Sequence, residues 1–112
     1  MRVIDLAARA AELPQVWTSD LAARVGSGEI RVLRMDGAEL PWEVHESDEA
    51  LVVLAGRLNL ELADRAVPVT TGRLVVVPAG TEHRVAAGSW GTLVLVPAPV
   101  AVAPDPGAGP RR

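Results

Sequence analysis

His45 and His83 are the only histidines in this chain; each follows a proline by a few residues and is placed to open a β-strand. That arrangement points to one site assembled from distant segments. Glu43 and His45 are two residues apart, so on a strand their side chains share a face. Glu49 is also an even number of residues from His45, but Glu46–Ser47–Asp48 reads as a loop, and parity decides nothing across it. The chemistry open to such a site is narrow. The chain has no cysteine, no tyrosine and no lysine, its eleven basic residues all being arginine. Thiolate ligands, thiol nucleophiles, disulfides and Schiff bases are therefore excluded. Imidazole, carboxylate and a metal held by them remain as the reactive groups. No Gly-x-Ser-x-Gly elbow supports serine catalysis, and Gly26–Ser27–Gly28 lacks the lysine and following helix of a phosphate loop.

The elements that position these residues read as strands. Leu74–Val77 is too short for a helix and rich enough in valine for a buried strand, and Pro78 and Gly80 then turn the chain into His83. Leu21–Val25 and Glu29–Met35 form a hairpin around Gly26–Ser27–Gly28. In the second of these, alternation leaves the core face ambiguous. Pro41–Val44 opens a further strand, Ala50–Ala55 is an apolar one ending at Gly56, and Arg57–Leu62 puts Leu58, Leu60 and Leu62 on one face. Ala66–Val69, Arg73–Val77, Glu82–Ala86 and Thr92–Val96 complete the set, while Val3–Leu6 reads as a short strand or extended arm. Ala7–Leu13 supports one or two helical turns before Pro14. Many short strands with frequent turn signals mean an all-β sandwich or barrel.

Two spacings resemble a known family. Gly72-x5-Pro78-x-Gly80-x2-His83 resembles the second motif of the cupin superfamily, and Glu43-x-His45-x3-Glu49-x6-Gly56 resembles the first. Glu43 stands where the first motif usually has histidine, and Ala87 where an asparagine often closes the second. With Val3–Leu6 and Trp17, the chain is similar to small single-domain bacterial cupins with sugar-isomerase-like barrels. The resemblance implies a single-domain double-stranded β-helix, the jelly-roll or cupin barrel. Residues 1–27 would form an N-terminal arm and first strands, 28–97 the barrel, and 98–112 a disordered Pro/Ala/Gly tail. It further implies that Glu43, His45, Glu49 and His83 converge at one end of the barrel as ligands of a divalent metal: Fe, Mn, Ni or Zn. Glu43 reads as a harder ligand replacing imidazole, as a general base beside the metal, or as the mark of a site that binds none.

The function expected from this is metal and small-molecule binding at the barrel mouth. The alternatives are a metal-dependent isomerase, epimerase or dioxygenase, and a metal-free structural dimeric module. A homodimer is expected, formed through sheet edges with the N-terminal strand adding to a partner.

Composition sets the remaining bounds. At 112 residues the chain makes one small domain, with 49% hydrophobic residues but no phenylalanine or tyrosine, so valine, leucine, alanine and isoleucine must build the core. Trp42 and Trp90 read as core or rim packing rather than a sugar platform, and Glu46 and Asp48 as loop acids. Arg34 and Arg57 read either as pocket cations for an anionic ligand or as solvated or salt-bridged surface residues. A net charge of −3 without a basic cluster argues against nucleic acid. No apolar run reaches membrane-span length, no signal peptide is legible, and the expected compartment is the cytoplasm.

Overall fold

The computed structural model describes residues 1–99, so the tail expected over 98–112 lies, from residue 100 onward, outside the described residues. A six-residue helix, α1 (Leu6–Ala11), precedes the strands β1 (Asp20–Val25), β2 (Gly28–Asp36), β3 (Glu49–Leu62), β4 (Ala66–Thr70), β5 (Leu74–Val77), β6 (His83–Val85) and β7 (Trp90–Pro97). The strands pair in the order β1-β2-β7-β3-β4, and β5 and β6 also pair with β3. Every pairing is antiparallel. The all-β cupin barrel expected from the sequence is the fold observed.

β3 is the spine of the barrel, and it corrects one expectation. Ala50–Ala55 and Arg57–Leu62 are a single 14-residue strand, not two. Its register against β7 runs from Glu49↔Pro97 to Val53↔Leu93 and resumes at Ala55↔Thr92, which leaves Leu54 as an extra, bulged residue. A bulge adds one residue to one strand and bends it. Buried positions accordingly switch parity, from Leu51 and Val53 before the bulge to Leu58 and Leu60 after it. Gly56 is the bend, not the strand end. Its φ is +93°, it faces Gly91 at φ +104°, and a Cβ on either would lie 2.0 Å from the carbonyl oxygen of Trp90 or of Ala55. The Thr71 hydroxyl holds the bend by donating to the Gly56 carbonyl (2.9 Å) and accepting from its N–H (3.1 Å).

The main core holds Leu33, Met35, Leu51, Val53, Leu58, Leu60, Val69, Val77 and Leu93. A second, small cluster of Ala10, Ala22 and Val32 lies under α1 with Leu6 against it. The two clusters explain why alternation in β2 was ambiguous: Leu33 and Met35 face the barrel interior, while Val32 is buried on the outer face by the helix. Val3–Leu6 is not a strand. Asp5 caps α1 by accepting from the Ala8 N–H at 3.0 Å, as an N-cap carboxylate does. Arg34 closes the other end, donating to the carbonyls of Ala10 (2.9 Å) and Leu13 (2.8 Å), where the orphan acceptors of a helix lie. Arg9 fastens the helix to β1 through Asp20 (2.9 Å) and the Leu21 carbonyl (3.0 Å).

β5 is buried on one face only. Val77 is in the core, whereas Leu74 and Val76 are 60% and 54% exposed. The register aligns Leu74 with Val52 and Val94, and Val76 with Ala50 and Val96, on the outer face of the sheet. Beyond the part covered by α1 this face is apolar and open.

Candidate functional site

Two segments distant in sequence are stitched together to form the barrel mouth. Glu43 and His83 exchange backbone hydrogen bonds, Glu43 N–H to His83 C=O at 2.7 Å and His83 N–H to Glu43 C=O at 3.0 Å. The Gly80 N–H donates to the His45 carbonyl at 2.9 Å, and the Ala79 N–H to the Asp48 carboxylate at 2.8 Å. Asp48, read from sequence as a loop acid, thus ties the loop bearing His45 to the Pro78–Gly80 turn. His83 opens β6 as expected. Pro41–Val44 does not open a strand, and His45 sits in irregular chain: Pro41 has no N–H to give a ladder, and pairing here is limited to the single Glu43–His83 bridge.

The bridge brings three of the four expected residues into one group. One ligating atom each from Glu43, His45 and His83 lie within 4.8 Å of one another. His45 Nε2 is 3.2 Å from Glu43 Oε2, and the two imidazole rings are 5.2 Å apart and tilted by 47°. His83 is buried; its Nδ1 lies 2.8 Å from the Thr81 carbonyl. A carbonyl only accepts, so Nδ1 carries a proton, and in the neutral ring Nε2 is the nitrogen with the free lone pair. Backbone fixation of the remote nitrogen is the usual support of a ligating histidine.

Glu49, the fourth expected residue, lines the same cavity but stands outside that group. Burial pushes its carboxyl above the ordinary range. The imidazoles of His45 and His83 oppose that shift, and the neighbouring Glu43 adds to it. Two imidazoles with one or two carboxylates form a donor set suited to a borderline divalent ion. Ligand bonds of about 2.0–2.2 Å put donors about 3–4 Å apart, so the group needs only a small contraction to hold one.

Behind these polar groups lies a cavity of about 190 Å³, walled by Leu33, Leu40, Leu51, Leu60, Val85, Leu93, Leu95 and Trp17, with Ser19 beside them. Trp17 was not singled out from the sequence as a wall of the site. It is the one non-glycine described residue with positive φ, at +62°, a conformation costing an L-residue about 1–2 kcal/mol. Its N–H donates to the Arg34 carbonyl at 3.0 Å and its indole Nε1–H to Asp36 at 2.6 Å, which hold the ring in the wall. No local sequence signal marks it, because both partners lie on β2.

The other tryptophans do not reach the cavity. Trp42 is 40% exposed with the Arg84 guanidinium 5.1 Å from its ring centre, and Trp90 is 59% exposed. Arg84 is itself paired with Glu39 and, at 2.9 Å, with Glu61. The two arginines considered as pocket cations are elsewhere, Arg34 on the end of α1 and Arg57 on Asn59 at 2.6 Å. Where Ala87 departs from the second motif, its carbonyl accepts from the Asn59 side chain at 3.2 Å.

The family model described as the cupin domain matches residues 25–98. No curated protein matches the chain. Among solved structures, a cupin-2 domain containing protein from Shewanella frigidimarina is 23% identical, with a TM-score of 0.78 over 87% of this chain and 94% of that one. Protein NMB1881 from Neisseria meningitidis is 24% identical, with a TM-score of 0.74 over 86% and 98%. A cupin superfamily protein from Desulfitobacterium hafniense is 18% identical, with a TM-score of 0.67 over 86% and 89%. At these identities the likeness is one of fold.

Proposed function

The chain belongs to the cupin domain family, and from that premise we propose that its barrel mouth binds a divalent metal and a small molecule beside it. The observation that carries this reading is the convergence of Glu43, His45 and His83 within 4.8 Å at the head of a cavity. Glu43, His45 and His83 would hold the ion, with Glu49 facing it from the cavity wall. A metal there supplies a Lewis acid for a polar group of the bound molecule. The chain's own residues do the rest. Thr81 fixes the His83 tautomer, Asp48 holds the His45 loop against the turn, and the leucines exclude water. Glu43 in place of a third imidazole makes the site harder, which favours Mn or Fe over Cu.

Metal analysis of protein grown with Fe, Mn, Ni and Zn tests this. Stoichiometric metal in the wild type, lost in His45→Ala and His83→Ala, is the expected result; a metal-free wild type ends the metal reading. Glu49→Gln separates two roles. Lower occupancy makes Glu49 a fourth ligand. Unchanged occupancy leaves it a desolvated carboxyl beside the metal, the place of a general base in a metal-dependent isomerase or epimerase.

A homodimer remains the proposed assembly, but not by N-terminal strand addition, since Leu6 begins a helix. The open apolar face with Leu54, Leu74, Val76 and Val96 supports pairing of two copies there. Sedimentation at micromolar concentration should give a dimer that Val76→Glu dissociates; a wild-type monomer refutes it.

A further inference from the structure

The charge lining the cavity specifies its occupant. Among the described residues its walls carry two carboxylates, Glu43 and Glu49, two imidazoles, and no guanidinium; the chain has no lysine to supply another cation. One arginine comes near by register. Arg31 shares the inward face of β2 with Leu33 and Met35, but its charge is paired with Glu29 (3.1 Å), and its guanidinium is held by the Ser19 hydroxyl (2.8 Å) and the Ser19 carbonyl (3.2 Å). A bound anion would therefore sit beside two carboxylates with no unpaired guanidinium in the wall to replace its water, and burying a charge without a partner is strongly unfavourable.

The remainder of the wall is apolar and preorganised. Trp17 is held in place by backbone and indole hydrogen bonds at a left-handed conformation, the kind of local strain that collects at ligand clamps. The volume, about 190 Å³, is below the roughly 300 Å³ of drug-sized pockets. It exceeds the roughly 150 Å³ of an apolar cavity that takes up benzene.

From this geometry we infer that the cavity selects a small, neutral, largely apolar molecule with one polar group directed at the His45–His83 end, and rejects anions such as carboxylates and phosphate esters. The inference deepens the small-molecule reading above and rests on it, not on the metal. It concerns the metal-free cavity, since a divalent ion held by Glu43, His45 and His83 would itself supply the cation that an anion lacks there.

Benzamide and benzoate are matched in shape and differ in charge, which makes them suitable probes. Each is titrated calorimetrically at pH 7.5 into the full-length protein, as purified and after chelation. Benzamide should bind at least tenfold more tightly than benzoate in the chelated protein, and bound metal should narrow or reverse that gap. In the chelated protein Glu49→Gln should narrow that gap, and Leu40→Trp, which fills the cavity from a half-buried wall position, should abolish benzamide binding. In the chelated protein, equal or tighter binding of benzoate overturns the inference, as does binding of neither probe at millimolar concentration, or benzamide binding that survives Leu40→Trp. A metal-free wild type that still prefers benzamide defeats the metal reading and leaves this one standing. A protein that holds stoichiometric metal as purified but prefers benzoate once chelated does the reverse.

Discussion

Replacing Gly56 with alanine separates two reasons for a glycine in a sequence motif. Gly72, in the second motif, supplies the comparison. Both have positive φ, +93° and +82°, but a Cβ on Gly72 meets nothing within 4 Å, whereas one on Gly56 would lie 2.0 Å from the Trp90 carbonyl oxygen. Gly72→Ala therefore bears only the left-handed backbone term, about 1–2 kcal/mol. Gly56→Ala bears that term and more. Such a contact must open to at least 3.0 Å, so β3 and β7 must part by about 1 Å at the bend. That displacement breaks ladder bonds at about 1–3 kcal/mol for each group left unpaired, and the total reaches on the order of 4–6 kcal/mol. For a domain of this size the two losses correspond to Tm decreases of roughly 5–10 °C and at least about 20 °C. Urea and thermal unfolding followed by far-UV circular dichroism measure both. Equal losses in the two variants would refute the packing argument and leave backbone conformation as the only role of Gly56.

Three further outcomes are expected. The Trp17 indole, with the Ala38 N–H next, holds the Asp36 carboxyl below its usual value of 3.8, so its share of stability is present above that value and lost as pH falls through the depressed one. Asp36→Asn should flatten the acid limb of stability below about pH 4, and an unchanged limb in urea titrations from pH 5 to 2.5 would exclude the link. Glu49 has the opposite sign in metal-free protein: its raised pKa means stability falls as pH climbs from 4.5 through the raised value, and Glu49→Gln should remove that decline in urea titrations. Asp48→Ala removes the acceptor for Ala79 N–H without touching a donor atom of the site. It should weaken metal binding by about tenfold with little change in Tm; unchanged affinity would mean the clip does not position His45.

Much of the fold was legible because local patterns agreed with it. The glycine-rich hairpin before β2, the Leu58–Leu60–Leu62 alternation and the Pro78–Gly80 turn into His83 are each written in adjacent residues. β5 was misread as buried because Leu74–Val77 is apolar throughout, and an apolar run does not say whether both faces are covered. Val32 and Leu33 are both buried because α1 lies over one face of β2, which β2's own sequence does not record.

The sequence by itself determined the barrel and narrowed the chemistry to histidine and carboxylate, through motif spacing and through the residue types it lacks. Tertiary structure decided what those residues meet. The Glu43–His83 bridge makes a three-donor group and leaves Glu49 on the wall beside it. Trp17 enters the cavity because Arg34 and Asp36 hold it there. Gly56 marks a bend because Gly91 lies opposite. In each case the partner is far along the chain, and only the packing of one strand against another brings it within bonding distance.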